Sequence, residues 1–324
     1  MKKSLMVLAV LAASPAFAQS SVTLSGGVGL VVARLPAIAA TSSAAAQASQ
    51  TKLNNLGVAD SAITFAAVED LGGGLKVAAT MNMRFSADDG VQGPAQGSRT
   101  FQNVKLALSG GSGEMAVGRF NGPVDVMRSL GDHWLGYDHG GAVFGHPGDA
   151  ATRYDNTLQY STPVMGGFKL AAAQALKESS TTATANLREA ALSYAAGPWK
   201  AGLGLTRNSG MLKGRNVTTL AALYDFGVAR PALVHSHTDN VGVKSNRTSL
   251  QVAVPVTANV TVRAGYERQK TNGFGQVTGM GFGGEYVLSK RTKLLADFTT
   301  RNSKSAAVGD WDGVATFVGV KHRF

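Results

Sequence analysis

The stretch Arg247-Thr-Ser-Leu-Gln-Val-Ala-Val-Pro-Val-Thr-Ala-Asn-Val-Thr-Val-Arg-Ala-Gly-Tyr-Glu-Arg-Gln269 alternates twice. Leu250, Val252 and Val254 share one parity. After a short break at 256–258, Val260, Val262, Ala264 and Tyr266 share one again. The opposite parity carries Ser249, Gln251, Thr261, Arg263 and Glu267. Successive side chains of a strand point to opposite faces, so each half is a strand with one apolar and one polar face.

The same period runs outward in both directions. Alternating segments fall at 22–33, 59–69, 75–85, 99–109, 114–119, 153–161, 167–177, 187–195 and 199–207. They continue at 217–226, 228–237, 247–255, 259–269, 277–288, 292–301 and 313–324, sixteen in all. Every second break is short: 70–73, 110–112, 162–166, 196–198, 227, 256–258 and 289–291. The breaks between them, near 35–57, 87–98, 120–152, 178–186, 208–216, 238–246, 270–276 and 302–312, are mostly longer and polar. Residues 35–56, rich in Ser, Ala and Gln, show no hydrophobic period and read as a long loop.

A soluble sandwich also alternates, with its apolar face inward. Three features favour a membrane barrel instead. Charged residues align on one strand face, the apolar faces are aromatic near their ends, and an even strand count brings both termini to one side. No open sheet edge is tolerated in lipid, so the sheet closes. The expected fold is all-β, a sixteen-stranded antiparallel transmembrane barrel with short turns at one end and longer loops at the other.

Bulk composition agrees. The 324 residues include 40 Gly, which suits many tight turns, and no Cys, which excludes disulfides and thiolate metal sites. Mean hydropathy close to zero argues against a helical membrane protein. At the N-terminus, Lys2 and Lys3 precede an apolar run from Leu5 to Ala13 and a small-x-small site at Ala16-Phe17-Ala18. Residues 1–18 therefore read as a cleaved export signal, too short to span a bilayer, with 19–324 as the mature barrel. Cleavage removes two lysines from a formal net charge of +11.

One stretch breaks the pattern. Residues 120–152 scatter Gly, Pro, Asp and His among apolar residues with no period-2 run. They hold Asp125, Asp132, Asp138 and Asp149 against Arg128 alone among Lys and Arg. A loop this long in a compact β protein is usually functional or disordered. It is expected to fold into the barrel and narrow a pore.

Specific stretches also resemble the general-diffusion porins of Gram-negative outer membranes, of the neisserial and β-proteobacterial type. They are Ser21-Val-Thr-Leu, Glu69-Asp-Leu-Gly-Gly-Gly-Leu-Lys, Leu108-Ser-Gly with Val117-Gly-Arg, and Arg153-Tyr-Asp-Asn-Thr-Leu-Gln-Tyr-Ser-Thr-Pro. Gly284-Glu-Tyr-Val-Leu-Ser-Lys-Arg-Thr and the terminal Val318-Gly-Val-Lys-His-Arg-Phe complete the set, which covers nearly the whole chain. The resemblance implies a trimer, a third extracellular loop folded inward at 120–152, and Phe324 as the signal read by the barrel-insertion machinery. The chain departs from the family at Ser25 and Gly29, at Ala62 and Ala66, and at Asn82. Acids lost at Gly29 and Asn82 make the wall more positive, and a base missing at Ala62 works against that.

A pore selects by aperture and lining charge. Parity sends Arg84, Arg99, Lys105, Arg153, Lys169, Lys200, Arg263, Lys293, Arg301, Lys321 and Arg323 inward. By the same rule Glu114, Asp155, Glu189, Asp225, Glu267, Glu285 and Asp297 point inward, leaving the lumen net positive. A basic wall facing an acidic loop sets up a transverse field, and modest anion preference is expected. Arg84, Lys105 and Arg153, with Arg119 beside them, are the candidate eyelet bases, and Asp125, Asp132, Asp138 and Asp149 the loop's pole. The other reading is that these bases pair with Asp155, Glu114 or the loop aspartates and brace the wall.

Other signals point away from chemistry. His133, His139 and His146 sit near loop aspartates but fit no metal-ligand spacing, so no metal or cofactor is expected. Basic residues spread over strands form no aromatic-interleaved patch, which argues against nucleic acid. Some of them suit lipopolysaccharide at the rim. His235 and His237 stand near a loop, but no nucleophile motif accompanies them, so an enzyme is not expected. The expected function is passive diffusion of small anionic and neutral solutes.

Overall fold

The computed structural model describes residues 20–37, 48–54, 61–91, 101–134, 153–178, 185–305 and 313–324. The export signal expected at 1–18 lies outside them. The strands are β1 (Ser21–Leu35), β2 (Gln50–Asn54), β3 (Ser61–Gly72), β4 (Leu75–Phe85), β5 (Asn103–Gly110) and β6 (Gly113–Asn121). After a helical segment come β7 (Arg153–Ser161), β8 (Phe168–Ala175), β9 (Leu187–Ala196), β10 (Trp199–Arg207), β11 (Arg215–Tyr224) and β12 (Arg230–Asn240). The set ends with β13 (Val243–Pro255), β14 (Val260–Thr271), β15 (Gly275–Val287), β16 (Thr292–Ser305) and β17 (Gly313–Arg323).

All pair antiparallel with their neighbours, and β1 closes the ring on β17 from Gly27↔Arg323 to Arg34↔Thr316. On its other side β1 pairs with β3 from Ser21↔Val68 to Gly27↔Ala62 and with β2 from Val31↔Asn54 to Leu35↔Gln50. β2 and β3 lie end to end along one edge of β1. Among the described residues, seventeen strands therefore occupy sixteen places.

β2 falls where the sequence reads as a loop. Its pairing uses backbone groups only, so the polar Thr51 and Lys52 need no hydrophobic period to join the ladder. The breaks expected near 238–246 and 270–276 also shrink. β12 and β13 run on through Asp239↔Lys244 to a two-residue turn of Val241 (φ 51°) and Gly242 (φ 92°). Both turn residues are left-handed, the geometry that matches strand twist in a tight hairpin. Here the side-chain period ends where the surroundings become aqueous, but the ladder continues.

Cα partners directly opposite each other share a face, so the register sorts the wall. Leu24, Phe65, Met81, Leu106, Leu158, Leu192, Leu220, Leu250, Phe282 and Phe298 are all exposed and lie on the outward parity. That much contiguous apolar surface has no place in water and makes a lipid-facing band. Near the short-turn end, Phe168 meets Tyr194 at 4.7 Å, Trp199 meets Tyr224 at 4.6 Å and Tyr224 meets Phe226 at 4.4 Å between ring centroids. Such rings form the aromatic girdle of a membrane interface.

Candidate functional site

β6 ends at Asn121, and the chain turns inward as α1 (Pro123–Arg128) and a 3-10 turn at Ser129–Gly131. Pro123 starts the helix where its missing N–H costs nothing. Glu189 on β9, 5% exposed, receives the helix start. Its Oε2 accepts from the Val124 N–H at 3.3 Å, and its Oε1 accepts from the Tyr154 hydroxyl at 3.2 Å and Thr206 Oγ1 at 3.0 Å. A carboxylate beside a helix start meets unsatisfied N–H groups and the positive end of the dipole.

Val124, Met127 and Leu130 then pack on the inward residues Ala191, Ala221 and Val234. β10 admits the helix because Gly202 and Gly204 stand on its inward face. A Cβ on Gly204 would lie 2.7 Å from Val124, and one on Gly202 would collide with Met127. Gly131 approaches β12 as closely: a Cβ there would be 2.7 Å from the Leu233 carbonyl. The inward fold of the loop thus rests on small residues along both surfaces.

Arg128 organises the loop's charge. Its Nη2 donates to Asp125 at 2.7 Å and its Nη1 to Asp132 at 3.2 Å, with all three side chains largely buried. Asn121 Nδ2 also bonds Asp125, and Asp132 Oδ1 accepts from the Trp134 N–H at 3.0 Å. Two of the four loop aspartates therefore share the cation of their own loop. Asp138 and Asp149, with His139 and His146, lie outside the described residues.

Beyond the 3-10 turn the chain reaches β12–β14 and β16. The His133 backbone N–H donates to Gln251 Oε1 at 2.7 Å, and its Nε2 is 2.5 Å from the Arg230 carbonyl. A carbonyl can only accept, so Nε2 carries the proton. Burial is the largest influence on His133 and pushes its pKa below the ordinary histidine value. The Arg230 and Arg263 charges add to this, while the bond to Arg230 and the Asp132 charge oppose it. Trp134 is fully buried, with the Arg263 guanidinium 5.3 Å from its ring centroid. Arg263 in turn holds Asp297, with Nη2 at 3.1 Å from both carboxylate oxygens.

The candidate eyelet bases stand on the wall that α1 leaves open, since the helix packs on β8–β11. Arg84 faces inward opposite Ala62, beside Asn82, which donates to Thr64 at 2.8 Å. Lys105 binds Glu114 at 2.6 Å and lies 5.7 Å from the Phe120 ring centroid. Arg153 Nε donates to Asn103 Oδ1 at 2.8 Å. Arg119 binds Asp155 at 2.6 Å, and its register opposite Val104 puts it on the outward parity, at a β-bulge. Lys105 and Arg119 thus follow the wall-bracing reading.

Further pairs join Arg247 to Glu267 (2.7 Å) and Lys293 to Glu285 (2.8 Å) across the inner face. Lys169, Lys200 and Arg230, inward near the short-turn end of β8, β10 and β12, have no carboxylate partner among the described residues. The lumen-facing positions of Arg230 and Arg247 were legible from parity with Ala232 and Ser249 but were absent from the sequence-based lining. No sequence signal marked Glu189 or Trp134 as the loop's anchors. Phe324 closes the last strand: its N–H and C=O both pair with Gly26 at 3.1 Å, and its ring covers that glycine.

The described region matches known proteins over most of its length. A family model described as Gram-negative porin matches residues 4–306. Outer membrane porin protein 32 of Delftia acidovorans is 32% identical over 95% of this chain and 91% of its own length. An anion-selective porin from Comamonas acidovorans superposes with a TM-score of 0.76 at 26% identity, covering 94% of this chain and 100% of that one. OmpT of Vibrio cholerae in its trimer form, 14% identical, shares the fold with a TM-score of 0.68 over 94% of this chain and 99% of its own. The chain belongs to the Gram-negative porin family: it is an outer-membrane β-barrel that forms a diffusion channel.

Proposed function

We propose that this channel passes small hydrophilic solutes with a modest preference for anions. One asymmetry carries the reading. The inner-wall carboxylates Glu114, Glu267, Glu285 and Asp297 each hold a Lys or Arg. Glu189 is enclosed by three hydrogen bonds, whereas Lys169, Lys200 and Arg230 keep no carboxylate among the described residues. Charges that cancel locally contribute little field in the lumen, and unpaired cations set its sign. The anion-selective relative from Comamonas acidovorans supports the same sign. Arg84 and Arg153 line the open wall beside them, and Asp125 and Asp132 with Arg128 shape the opposite side. Asp138 and Asp149 complete the proposed constriction set, while Lys105 and Arg119 brace the wall through Glu114 and Asp155.

The reading is of passage and not catalysis: His235 Nδ1 meets Thr248 at 2.8 Å and His237 Nδ1 meets Asn246 at 2.8 Å, with no carboxylate behind either among the described residues. We assign residues 1–18 to an export signal, 19–324 to the mature barrel and Phe324 to recognition by the insertion machinery. A homotrimer associated through part of the apolar wall, with lipopolysaccharide at its rim, completes the assignment. Reversal potential in a potassium chloride gradient across a planar bilayer tests the preference. A chloride-selective sign is expected, and a potassium-selective one overturns it.

A further inference from the structure

On the short-turn side of α1, a cleft of about 100 Å³ opens between the loop and the inner wall. The loop lines it with Pro123, Val126 and Leu130, and the wall with Gln159, Ser161 and Lys169. Val126 is 58% exposed, a large apolar side chain turned to the lumen while its helix neighbours Val124 and Met127 are buried. Lys169 is exposed, and its ammonium has no partner among the described residues. The cleft thus sets an apolar wall against an exposed cation.

Gln159 adds a second polar group. Its Nε2 donates to Ser161 Oγ at 3.2 Å, while its Oε1 is buried with no hydrogen-bond partner. Gln159 lines the cleft, and its Nε2 carries a second hydrogen beyond the one given to Ser161. A ligand acceptor in the cleft takes that second N–H.

Resting on the channel reading above, we infer that this cleft binds a short branched-chain carboxylate. Its carboxylate meets Lys169 and the Gln159 amide, and its alkyl group lies on Val126 and Leu130. The volume admits a molecule of a few heavy atoms, well below a drug-sized ligand. The solute is held on its way through the channel.

The test is single-channel chloride current across a planar bilayer, titrated with isovalerate or acetate in either chamber. Isovalerate is expected to reduce the current at about tenfold lower concentration than acetate, from the added apolar contact. Lys169→Gln should raise the isovalerate needed about tenfold, the value of one charge-assisted contact. Gln159→Leu should raise it less, and Val126→Asp should erase the difference between the two acids, each variant being referred to its own unblocked current. Equal action of the two acids on the unmodified channel overturns the inference, as does a Lys169→Gln channel blocked as before. A protein with no chloride current at all overturns the channel reading instead.

Discussion

Arg263 holds two partners at once, its guanidinium 5.3 Å from the Trp134 ring centroid while bonding both oxygens of Asp297. This joins a loop that begins after β6 to β14 and β16, on the far side of the barrel. The loop's position is therefore set at both ends of its described path, by Glu189 at Val124 and by Arg263 at Trp134.

Replacing Trp134 with Ala removes the far anchor. A buried tryptophan lost from a packed site costs about 3–5 kcal/mol. The expected result is a channel that still conducts but shows larger open-state current fluctuations and unfolds at lower denaturant. A quiet single-channel record from Trp134→Ala would show that the anchor does not restrain the loop.

Gly204→Val tests the near contact. Its Cβ would stand 2.7 Å from the branched side chain of Val124, which has little freedom to retreat. Overpacking of this kind costs about 1–3 kcal/mol, and relief comes by pushing α1 into the lumen. Conductance should fall. The barrel itself should keep the gel mobility and thermal unfolding of the unmodified protein, since the outward face of β10 is untouched.

Arg128→Met leaves Asp125 and Asp132 without their shared cation. Breaking a buried ion pair by removing one partner costs about 3–5 kcal/mol locally. The loop also gains net negative charge inside the lumen. The reversal potential should shift toward potassium, and restoring the charge with Lys should recover part of the shift.

His133 supplies a pH dependence. Burial holds its pKa below the ordinary value of about 6.5, so the detached loop binds a proton more readily than the docked one. Docking is therefore at full strength above about pH 6.5 and weakens as pH falls from there toward the lowered pKa. The neighbours Arg230 and Arg263 oppose protonation and Asp132 favours it, with burial dominant. Current fluctuations should grow on acidification across that window, and His133→Gln should flatten the response. An identical pH profile in the variant would assign the dependence to other groups.

The barrel was legible because its signal is local. A period of two residues marks each strand, as in Leu250, Val252 and Val254, and every strand expected appears within a few residues of its expected place. Legibility failed where backbone pairing outran the side-chain period, at Gln50–Asn54 and in the β12–β13 hairpin. Gly202 and Gly204 were also opaque. A glycine in a strand reads as a weak point, and only the docked helix explains two of them on one face.

By itself, the sequence determined the sixteen places of the ring, the lipid-facing and lumen-facing parities, the closure of the ring and the place of the inward loop. Each follows from alternation and from the need to satisfy every backbone group in lipid. Tertiary structure alone decided which lumen charges remain unpaired and which wall the loop covers. Those outcomes rest on contacts such as Val124 with Glu189 and His133 with Gln251, 65 and 118 residues apart. Barrel register and loop path bring such residues together, and neither leaves a period in the chain.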